Sequence, residues 1–218
     1  MKGVNIKVNG KTWLNDFIER LSNIEGHFEI YVSLFLRYEQ QYVFGLKDSK
    51  EWIEEEGKKK ASLSAIGGRI EEGTEIVPFL KNRCLLDIGV EVDIKDSPHT
   101  YLDYHYRLKK IPVNLVKGEI RPQMITIIQK ARYATTPNLL IFSYAGNIIN
   151  KPRALQFSAL FLAKESVLVQ MFKNEKTVQE LKKAGATFEE RIKIPENLFL
   201  YPTGSLNSLL RFLSYESF

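Results

Sequence analysis

The chain has 218 residues, of which 44% are hydrophobic and 26% charged, and its formal net charge is +5 at pH 7. This composition excludes wholesale disorder, and the length allows a substantial hydrophobic core. The single cysteine, Cys84, excludes an intramolecular disulfide, which fits a reducing compartment and predicts a cytoplasmic protein. Cys84 also lies in an apolar helical pattern, where a buried thiol is inert. The positive charge favours an anionic partner such as a nucleotide or a nucleic acid.

The first 25 residues predict a strand followed by a helix. An alternating apolar pattern ends at the turn dipeptide Asn9–Gly10, and Thr12 is placed to cap the helix. The first ten residues lack the apolar core of a signal peptide. No apolar run approaches the ~20 residues of a membrane span, so we expect no membrane partner.

A run of β-branched and aromatic residues predicts a β-hairpin with strands at residues 27–38 and 41–46. A charged insert then covers residues 47–60, with acidic residues before basic ones. We interpret the insert as a solvated loop or a short helix. The alternative is a mobile flap whose Lys58–Lys60 segment reaches a phosphate and whose Trp52 stacks on a base.

A glycine-rich turn joins a strand to a helix in the segment that organises the chain. Residues 61–66 are apolar and β-prone, and Gly67-Gly68-Arg69-Ile70-Glu71-Glu72-Gly73 follows them. Pro78 is typical of the first turn of a helix and Gly89 of its end. We therefore expect a helix over residues 78–88.

This segment resembles the box of the Nudix family. Without a gap, the 23 positions of the box run from Gly68 to Val90, and the lead-in from Gly67 to Gly73 looks like the family's usual entry. The matching positions are Gly68, Gly89 and Val90, with Asp87 standing for the last Glu and Cys84 filling an apolar slot. The resemblance covers the box closely, and by element order it extends over about residues 27–150.

The same box departs from the family at most of its charged positions. In box order, Thr74 replaces the first Glu, Asn82 the Arg, Arg83 the next Glu and Leu86 the penultimate Glu. A register shifted by one residue places Glu75 and Arg83 on the Glu and Arg positions, but it needs a deletion before Gly89. Neither register rebuilds the family's ligand set, so the box is degenerate.

The resemblance implies an α/β fold, a Nudix-like α/β/α sandwich with a mixed curved β-sheet. We expect a single domain over residues 1–218, with its core at about 27–150. Residues 1–25 would add the N-terminal strand and helix, and residues 151–218 a C-terminal helical elaboration. Strands and helices alternate to the end of the chain without a long linker, which favours one domain over two.

In the C-terminal half, residues 100–111 alternate between apolar and basic or polar side chains, which predicts one strand. Aromatic and basic residues interleave there as in some nucleic-acid-binding surfaces. Residues 139–144 predict a buried strand, followed by a turn at residues 145–147. In the resembled family the strand at this point often frames the substrate pocket, which would place Ser143, Tyr144 and Asn147 in it.

The last segments carry two helix signals. Thr177–Glu180 has the pattern of a capping box, and Ser205 is placed to cap a C-terminal helix. The apolar residues of that helix form one stripe, made of Leu206, Leu209, Leu210 and Leu213. We interpret the stripe as core, and the alternative is the face of a homodimer.

In the family, glutamates on the box helix hold a divalent metal against a diphosphate. By the resemblance, Asp87, Glu71 and Glu75 are the predicted Mg²⁺ ligands, with Glu72 as a further carboxylate, and Asp87 and Glu75 are the predicted catalytic residues. Predicted substrate-binding residues are Gly67, Gly68, Arg83 and Tyr144. Arg83 stands where the family has a metal-binding Glu, and its guanidinium is predicted to pair with phosphate directly.

Three functions follow from these residues. The first is a protein that binds a nucleotide or a nucleoside-diphosphate compound without efficient hydrolysis, because the box lacks most of its glutamates. The second is a Mg²⁺-dependent pyrophosphohydrolase of nucleoside-diphosphate-linked substrates with an atypical ligand set. The third is an RNA-binding or scaffold protein that reuses the fold.

Overall fold

The computed structural model describes residues 28–71, 73–113, 115, 118–129 and 137–216. The predicted N-terminal strand and helix at residues 1–25 and the predicted ligand Glu72 lie outside these residues. The described strands are β1 (Phe28–Tyr38), β2 (Gln41–Leu46), β3 (Ile53–Glu55), β4 (Lys58–Ser64), β5 (Ile66–Arg69), β6 (Asp93–Lys95), β7 (Thr100–Tyr104), β8 (Arg107–Ile111), β9 (Met124–Ile128), β10 (Asn138–Ile148), β11 (Ala159–Ala163), β12 (Lys176–Thr177), β13 (Thr187–Glu190) and β14 (Phe199–Pro202). The described helices are α1 (Ile76–Ile88), α2 (Glu165–Lys173), α3 (Val178–Lys183) and α4 (Ser205–Glu216), and a 3₁₀ turn covers Ser49–Glu51.

The strands form one mixed sheet. Its main path runs β12-β14-β4-β2-β1-β10-β9-β7-β8, with β5 added to β1, β6 to β10, β3 to β4, and β11 between β2 and β13. β1 lies parallel to β10 along its whole length, from Phe28 opposite Asn138 to Tyr38 opposite Ile148. On its other side, β1 pairs antiparallel with β5 in its first half and with β2 in its second half. The sheet is therefore mixed, as predicted.

Two hydrophobic cores cover the two faces of this sheet. Side chains alternate along a strand, so Val32, Leu34 and Leu36 point to one face and Phe35 to the other. The first face packs under α1 and the second under α4. The stripe of α4 lies in the second core, and its members Leu206, Leu209, Leu210 and Leu213 are at most 2% exposed. The predicted α/β/α sandwich and the interpretation of the stripe as core are both confirmed.

The ends of α1 follow from its terminal residues. Gly89 ends the helix in the left-handed region (φ 71°), where a residue without a Cβ is favoured, and its N–H bonds to the carbonyl of Leu85. The helix begins at Ile76 rather than at the predicted Pro78, because proline is tolerated anywhere in the first turn. Glu75 occupies the N-cap position without a side-chain capping bond.

Three other local predictions were wrong. Residues 145–147 do not turn, because they continue β10 between β1 and β6. Residues 100–111 form a hairpin rather than one strand, because His105 and Tyr106 adopt left-handed φ values of 49° and 60°. Ser205 is the first residue of α4, and its hydroxyl lies 3.0 Å from the hydroxyl of Ser33.

The charged insert folds onto the sheet instead of forming a loop or a flap. Its basic end, Lys58–Lys60, is the start of β4 and pairs with β3. The ammonium group of Lys60 lies 2.8 Å from Glu55 and 2.9 Å from Glu175, so it is held by two carboxylates. The indole N–H of Trp52 donates to the carbonyl of Lys47, and Lys59 lies over its ring. These contacts place the insert at the far side of the sheet from β8.

The capping box at the start of α3 is confirmed. The Thr177 hydroxyl accepts from the Glu180 amide, and the Glu180 carboxylate accepts from the Thr177 amide. Further upstream, β11 covers Ala159–Ala163. Just before it, the ring of Phe157 fills the space that a side chain at Gly45 would take.

Gly67 is required by the approach of two strands. A Cβ built on Gly67 would lie 2.1 Å from the carbonyl oxygen of Val32 and 2.7 Å from the Cα of Ser33. A Cβ on the neighbouring Gly68 would meet only the ring of Phe79, at 3.2 Å. The backbone of β1 cannot move without disturbing its pairing with β10, whereas the Phe79 ring can rotate.

We therefore predict that Gly67→Ala lowers the free energy of unfolding by about 3 kcal/mol, because overpacking against backbone costs ~1–3 kcal/mol or more. For a chain of this size the melting temperature would fall by roughly 6–12 °C. The matched control is Gly68→Ala, for which we expect a loss below about 1 kcal/mol. Thermal unfolding followed by circular dichroism measures both, and equal losses in the two variants would contradict this account.

Candidate functional site

The predicted metal ligands do not converge. Glu75 precedes the first residue of α1, and Asp87 is its penultimate residue. Twelve residues at 1.5 Å per residue separate their Cα atoms by about 18 Å along the helix axis. Glu71 and Glu75 are exposed, and the amide of Glu71 is bonded to the Thr74 hydroxyl. Glu75 and Asp87 therefore cannot bind one ion, and in the described part of the chain no three His, Cys, Asp or Glu side chains group as metal ligands.

Asp87 is instead paired with Arg83 on the same helix. A guanidinium nitrogen of Arg83 lies 2.8 Å from a carboxylate oxygen of Asp87, one turn away. The Asp87 side chain is 1% exposed and that of Arg83 is 37% exposed. The contact is a close ion pair, and both Asp87 oxygens and the Arg83 Nε are buried with no other hydrogen-bond partner among the described residues. The Mg²⁺ chemistry implied by the resemblance does not fit these residues.

Burial dominates the electrostatics of this helix end. It raises the pKa of Asp87 above its ordinary value, although Arg83 and Lys47 act in the opposite direction. Burial, and then the charge of Asp87, raise the pKa of the Cys84 thiol to about 12. A thiol with this pKa is almost entirely protonated at neutral pH, which agrees with the prediction that Cys84 is inert.

The predicted substrate-binding residues lie apart from the cavities described below. Gly67 and Gly68 are accounted for by packing, and Arg83 is engaged by Asp87. Tyr144 is 2% exposed in the core beneath α1, where burial raises its pKa and Glu119 adds to the effect. Ser143 is fully buried, and its hydroxyl lies 2.8 Å from that of Ser33. The structure therefore does not gather these residues into one site.

A cavity of about 460 Å³ opens on the other face of the sheet, against the end of α4. Its aromatic wall includes Tyr101 and Phe212, whose ring centroids are 4.7 Å apart. Asn147 contributes an amide, as predicted for a pocket-lining residue, and Gln123 contributes a second. Arg37 lies over the ring of Tyr42 and 3.9 Å from Glu165 at the rim.

A second cavity of about 390 Å³ adjoins the first at Pro98 and His99, which line both. Its basic residues are Lys110, Arg121 and the exposed His99. Arg121 is partly engaged, because it donates to the carbonyl of Ser97 at 2.9 Å and lies 3.7 Å from the carboxylate of Asp96. Lys110 is exposed and makes no ion pair with any residue that the structure describes. We name the two cavities together the α4 groove.

The register of β7 and β8 places Lys110 on the α4 side of the sheet. Lys110 lies directly opposite Tyr101 in this antiparallel pair, and such partners point to the same face. Lys109 pairs with Leu102 and so points to the α1 side. The alternation of residues 100–111 indicates that Lys109 and Lys110 point to opposite faces of the sheet. It does not indicate which residue points to which face, because that depends on the turn at His105 and Tyr106.

No protein-family model matches the chain, and no curated protein matches it. Among solved structures, it is similar to a Nudix-family hydrolase from Clostridium perfringens, with 13% identity, a TM-score of 0.42, and coverage of 65% of this chain and 84% of that one. It is also similar to a MutT protein from Methanosarcina mazei Go1, with 9% identity, a TM-score of 0.43, and coverage of 68% and 85%. A third similar structure is the ORF135 protein of E. coli, with 9% identity, a TM-score of 0.43, and coverage of 66% of this chain and 79% of that one.

All three TM-scores are below 0.5, and all three identities are below 25%. Among the described residues, no helix is both long and apolar enough to cross a membrane.

We predict that the contribution of the Arg83–Asp87 ion pair to stability depends on pH. An acid whose pKa is higher in the folded than in the unfolded chain destabilises the fold as pH rises above the unfolded value. Arg83→Met removes the counter-charge and raises the pKa of Asp87 further. It should lower the free energy of unfolding by about 3 kcal/mol at pH 7. This is the low end for a broken buried ion pair, because Arg83 is partly exposed. The cost should shrink near pH 4.5, where more of Asp87 is protonated. Urea unfolding at both pH values measures it.

Two controls separate this effect from the loss of packing. The double variant Arg83→Met/Asp87→Asn has no buried charge and should recover most of the stability at pH 7. Lys81→Met, at an exposed position of the same helix, should change stability by less than about 0.5 kcal/mol. A loss in Arg83→Met that is equal at both pH values and is not recovered in the double variant would show that the ion pair has no such role.

Proposed function

We propose that the protein binds a nucleotide or a nucleoside-diphosphate compound without hydrolysing it efficiently. The observation that carries this proposal is the Arg83–Asp87 ion pair. Hydrolysis assisted by Mg²⁺ needs several oxygen ligands around one ion. Asp87 is the box carboxylate that remains in the buried part of α1, and it is neutralised by a guanidinium four residues away. Glu75, the nearest substitute in the shifted register, is about 18 Å away along the helix.

The α4 groove is the site that we propose for the ligand. A cavity of about 460 Å³ lies within the range of small-molecule sites, roughly 300–1,000 Å³. Tyr101 and Phe212 offer an aromatic wall for a base, and the amides of Asn147 and Gln123 offer both donors and acceptors for its edge. The ligand would therefore lie on the face of the sheet opposite α1.

The adjoining basic cavity suits the phosphates of the same ligand. Lys110 is exposed and unpaired with described residues, and Arg121 and His99 line the same space. A phosphate there would accept charge-assisted hydrogen bonds without a metal bridge. This arrangement moves the predicted phosphate contact from Arg83 to Lys110, because Arg83 is occupied by Asp87 on the other face.

The test is a thermal-shift titration of the whole chain with nucleoside diphosphates and dinucleotides, in EDTA and in Mg²⁺. A ligand at a hundred times its Kd stabilises by roughly 2.7 kcal/mol, which is about 5–10 °C for a chain of this size. We expect this shift in EDTA. Lys110→Ala should weaken binding about tenfold or more, because it removes a hydrogen bond to a charged group.

The matched control is Lys109→Ala, the adjacent residue on the opposite face of β8, which should leave the affinity unchanged. Product analysis of the same mixtures by chromatography should show no turnover above the buffer blank. A shift that requires Mg²⁺, together with hydrolysis that is lost in Asp87→Asn, would refute the proposal and establish the hydrolase instead. The absence of a shift with every ligand would also refute it.

A further inference from the structure

The tip of the β7–β8 hairpin presents an exposed aromatic residue in an uncommon backbone conformation. Tyr106 is 82% exposed, and both Tyr106 and His105 have left-handed φ values, which are uncommon for residues other than glycine and most of all for a bulky residue such as Tyr106. Glycine or asparagine is the usual choice for such a turn. Two aromatic rings at a turn that favours small residues indicate that the side chains themselves have a role.

The ring of Tyr106 is held from one side only. The guanidinium of Arg211 lies 5.1 Å from the ring centroid, and Arg211 is itself fixed by a buried ion pair with Asp103. Because the ring is exposed, its opposite face is open to solvent. Beside it, the ring of His105 lies 4.0 Å from that of Tyr104. The hairpin tip thus carries a preorganised aromatic platform backed by a cation.

A cavity of about 280 Å³ lies directly beneath this platform, separate from the α4 groove. Tyr106 and His105 form part of its wall, and the amide side chains of Gln129 and Asn207 also line it. The carboxylate of Asp103 contributes an acceptor at its base. These groups have partners within the chain, because Gln129 accepts from the Tyr104 hydroxyl, Asn207 donates to the Pro202 carbonyl and Asp103 pairs with Arg211.

The strand that leaves the tip is basic and lies at the edge of the sheet. Arg107 and Lys109 are exposed, and neither makes an ion pair with any residue in the described ranges. Their positions alternate with Leu108, so both point to the α1 side of the sheet, away from Arg211 on the α4 side, and they lie about 6.8 Å apart along the strand. Cations spaced along an edge next to a stacking platform match the two recognition elements of single-stranded nucleic acid, which are phosphates and unstacked bases.

We infer that the β7–β8 hairpin binds single-stranded nucleic acid. One unpaired base stacks on the open face of Tyr106, opposite the Arg211 guanidinium. Arg107 and Lys109 contact the phosphates of the flanking nucleotides. A duplex does not fit this arrangement, because its bases are stacked on each other and cannot reach Tyr106.

The experiment is a fluorescence-anisotropy titration of the whole chain with labelled oligonucleotides of about 12 residues. The probes are oligouridylate, oligothymidylate and a mixed-sequence duplex, each at roughly 50 and 200 mM KCl. We expect both single strands to bind more tightly than the duplex, or one of them alone to do so. Tighter binding of oligouridylate assigns the surface to RNA, tighter binding of oligothymidylate assigns it to DNA, and equal binding assigns it to single strands in general.

Two groups of variants test the two elements separately. Tyr106→Ala should weaken single-strand binding by about 5- to 150-fold, the range for one lost stacking contact, and Tyr106→Phe should retain it. Arg107→Ala and Lys109→Ala should each make the slope of log affinity against log salt concentration shallower by about 0.7. This is the value for one phosphate contact to a single strand. Ile149→Ala and Lys81→Ala, exposed residues elsewhere, are the matched controls.

The inference is independent of the proposed nucleotide site. Tyr106→Ala should not change the thermal shift with nucleoside diphosphates. In a Lys110→Ala background, Tyr106→Ala should weaken the affinity for single-stranded oligonucleotides by the same factor as in the wild type. Equal affinity of Tyr106→Ala and wild type for single strands, preference for the duplex, or no binding at the lower salt concentration would each overturn it.

Discussion

The parallel pairing of β1 with β10 is the constraint on which the rest of the structure depends. These two strands are in register over eleven residues, and each is buried on both faces for most of its length. Parallel strands need covering layers on both sides, because neither face can remain in water. α1 covers one face and α4 covers the other. Gly67 has no side chain because β5 must approach β1 at this point without displacing it from β10.

The position of α4, and with it the two cavities of about 460 and 280 Å³ that its residues line, is fixed by buried polar contacts as well as by its leucine stripe. The Ser33 hydroxyl lies 2.8 Å from that of Ser143 and 3.0 Å from that of Ser205, so one hydroxyl of β1 joins β10 to the start of α4. Thr126 donates to Ser208 at 2.9 Å one turn further along. Hydrogen bonds between buried hydroxyls specify one position, whereas a leucine stripe alone would tolerate sliding along the sheet.

What the sequence predicts well is local, and what it misses depends on distant partners. The β1–β2 hairpin, the end of α1 at Gly89 and the capping box at Thr177 each follow from a few neighbouring residues. The segment at residues 145–147 has turn-forming residues, yet β1 and β6 flank it on both sides and hold it extended. Gly146 fits there because Val92 and Leu36 fill the space beside it. In the site, Asn147 was placed in a pocket, but Lys110 was missed because its face depends on where the hairpin turns.

The Arg83–Asp87 pair shows how a helix can bury a carboxylate by supplying the opposite charge itself. An uncompensated charge is too costly to bury, so Asp87 needs a partner of opposite sign. A divalent ion would require further oxygen ligands, and Leu86 and Arg83 stand where the resembled family has them. The guanidinium supplies its charge from the same helix, with no ligand set and no exchangeable ion. Once that pair has formed, Arg83 is not available to an anionic ligand. Lys110, Lys109 and Arg107 are exposed on the edge strand β8, and none of them makes an ion pair with a described residue. The two proposals made above therefore place ligand recognition on the β7–β8 hairpin and the α4 face, and they leave the box helix to support the sheet.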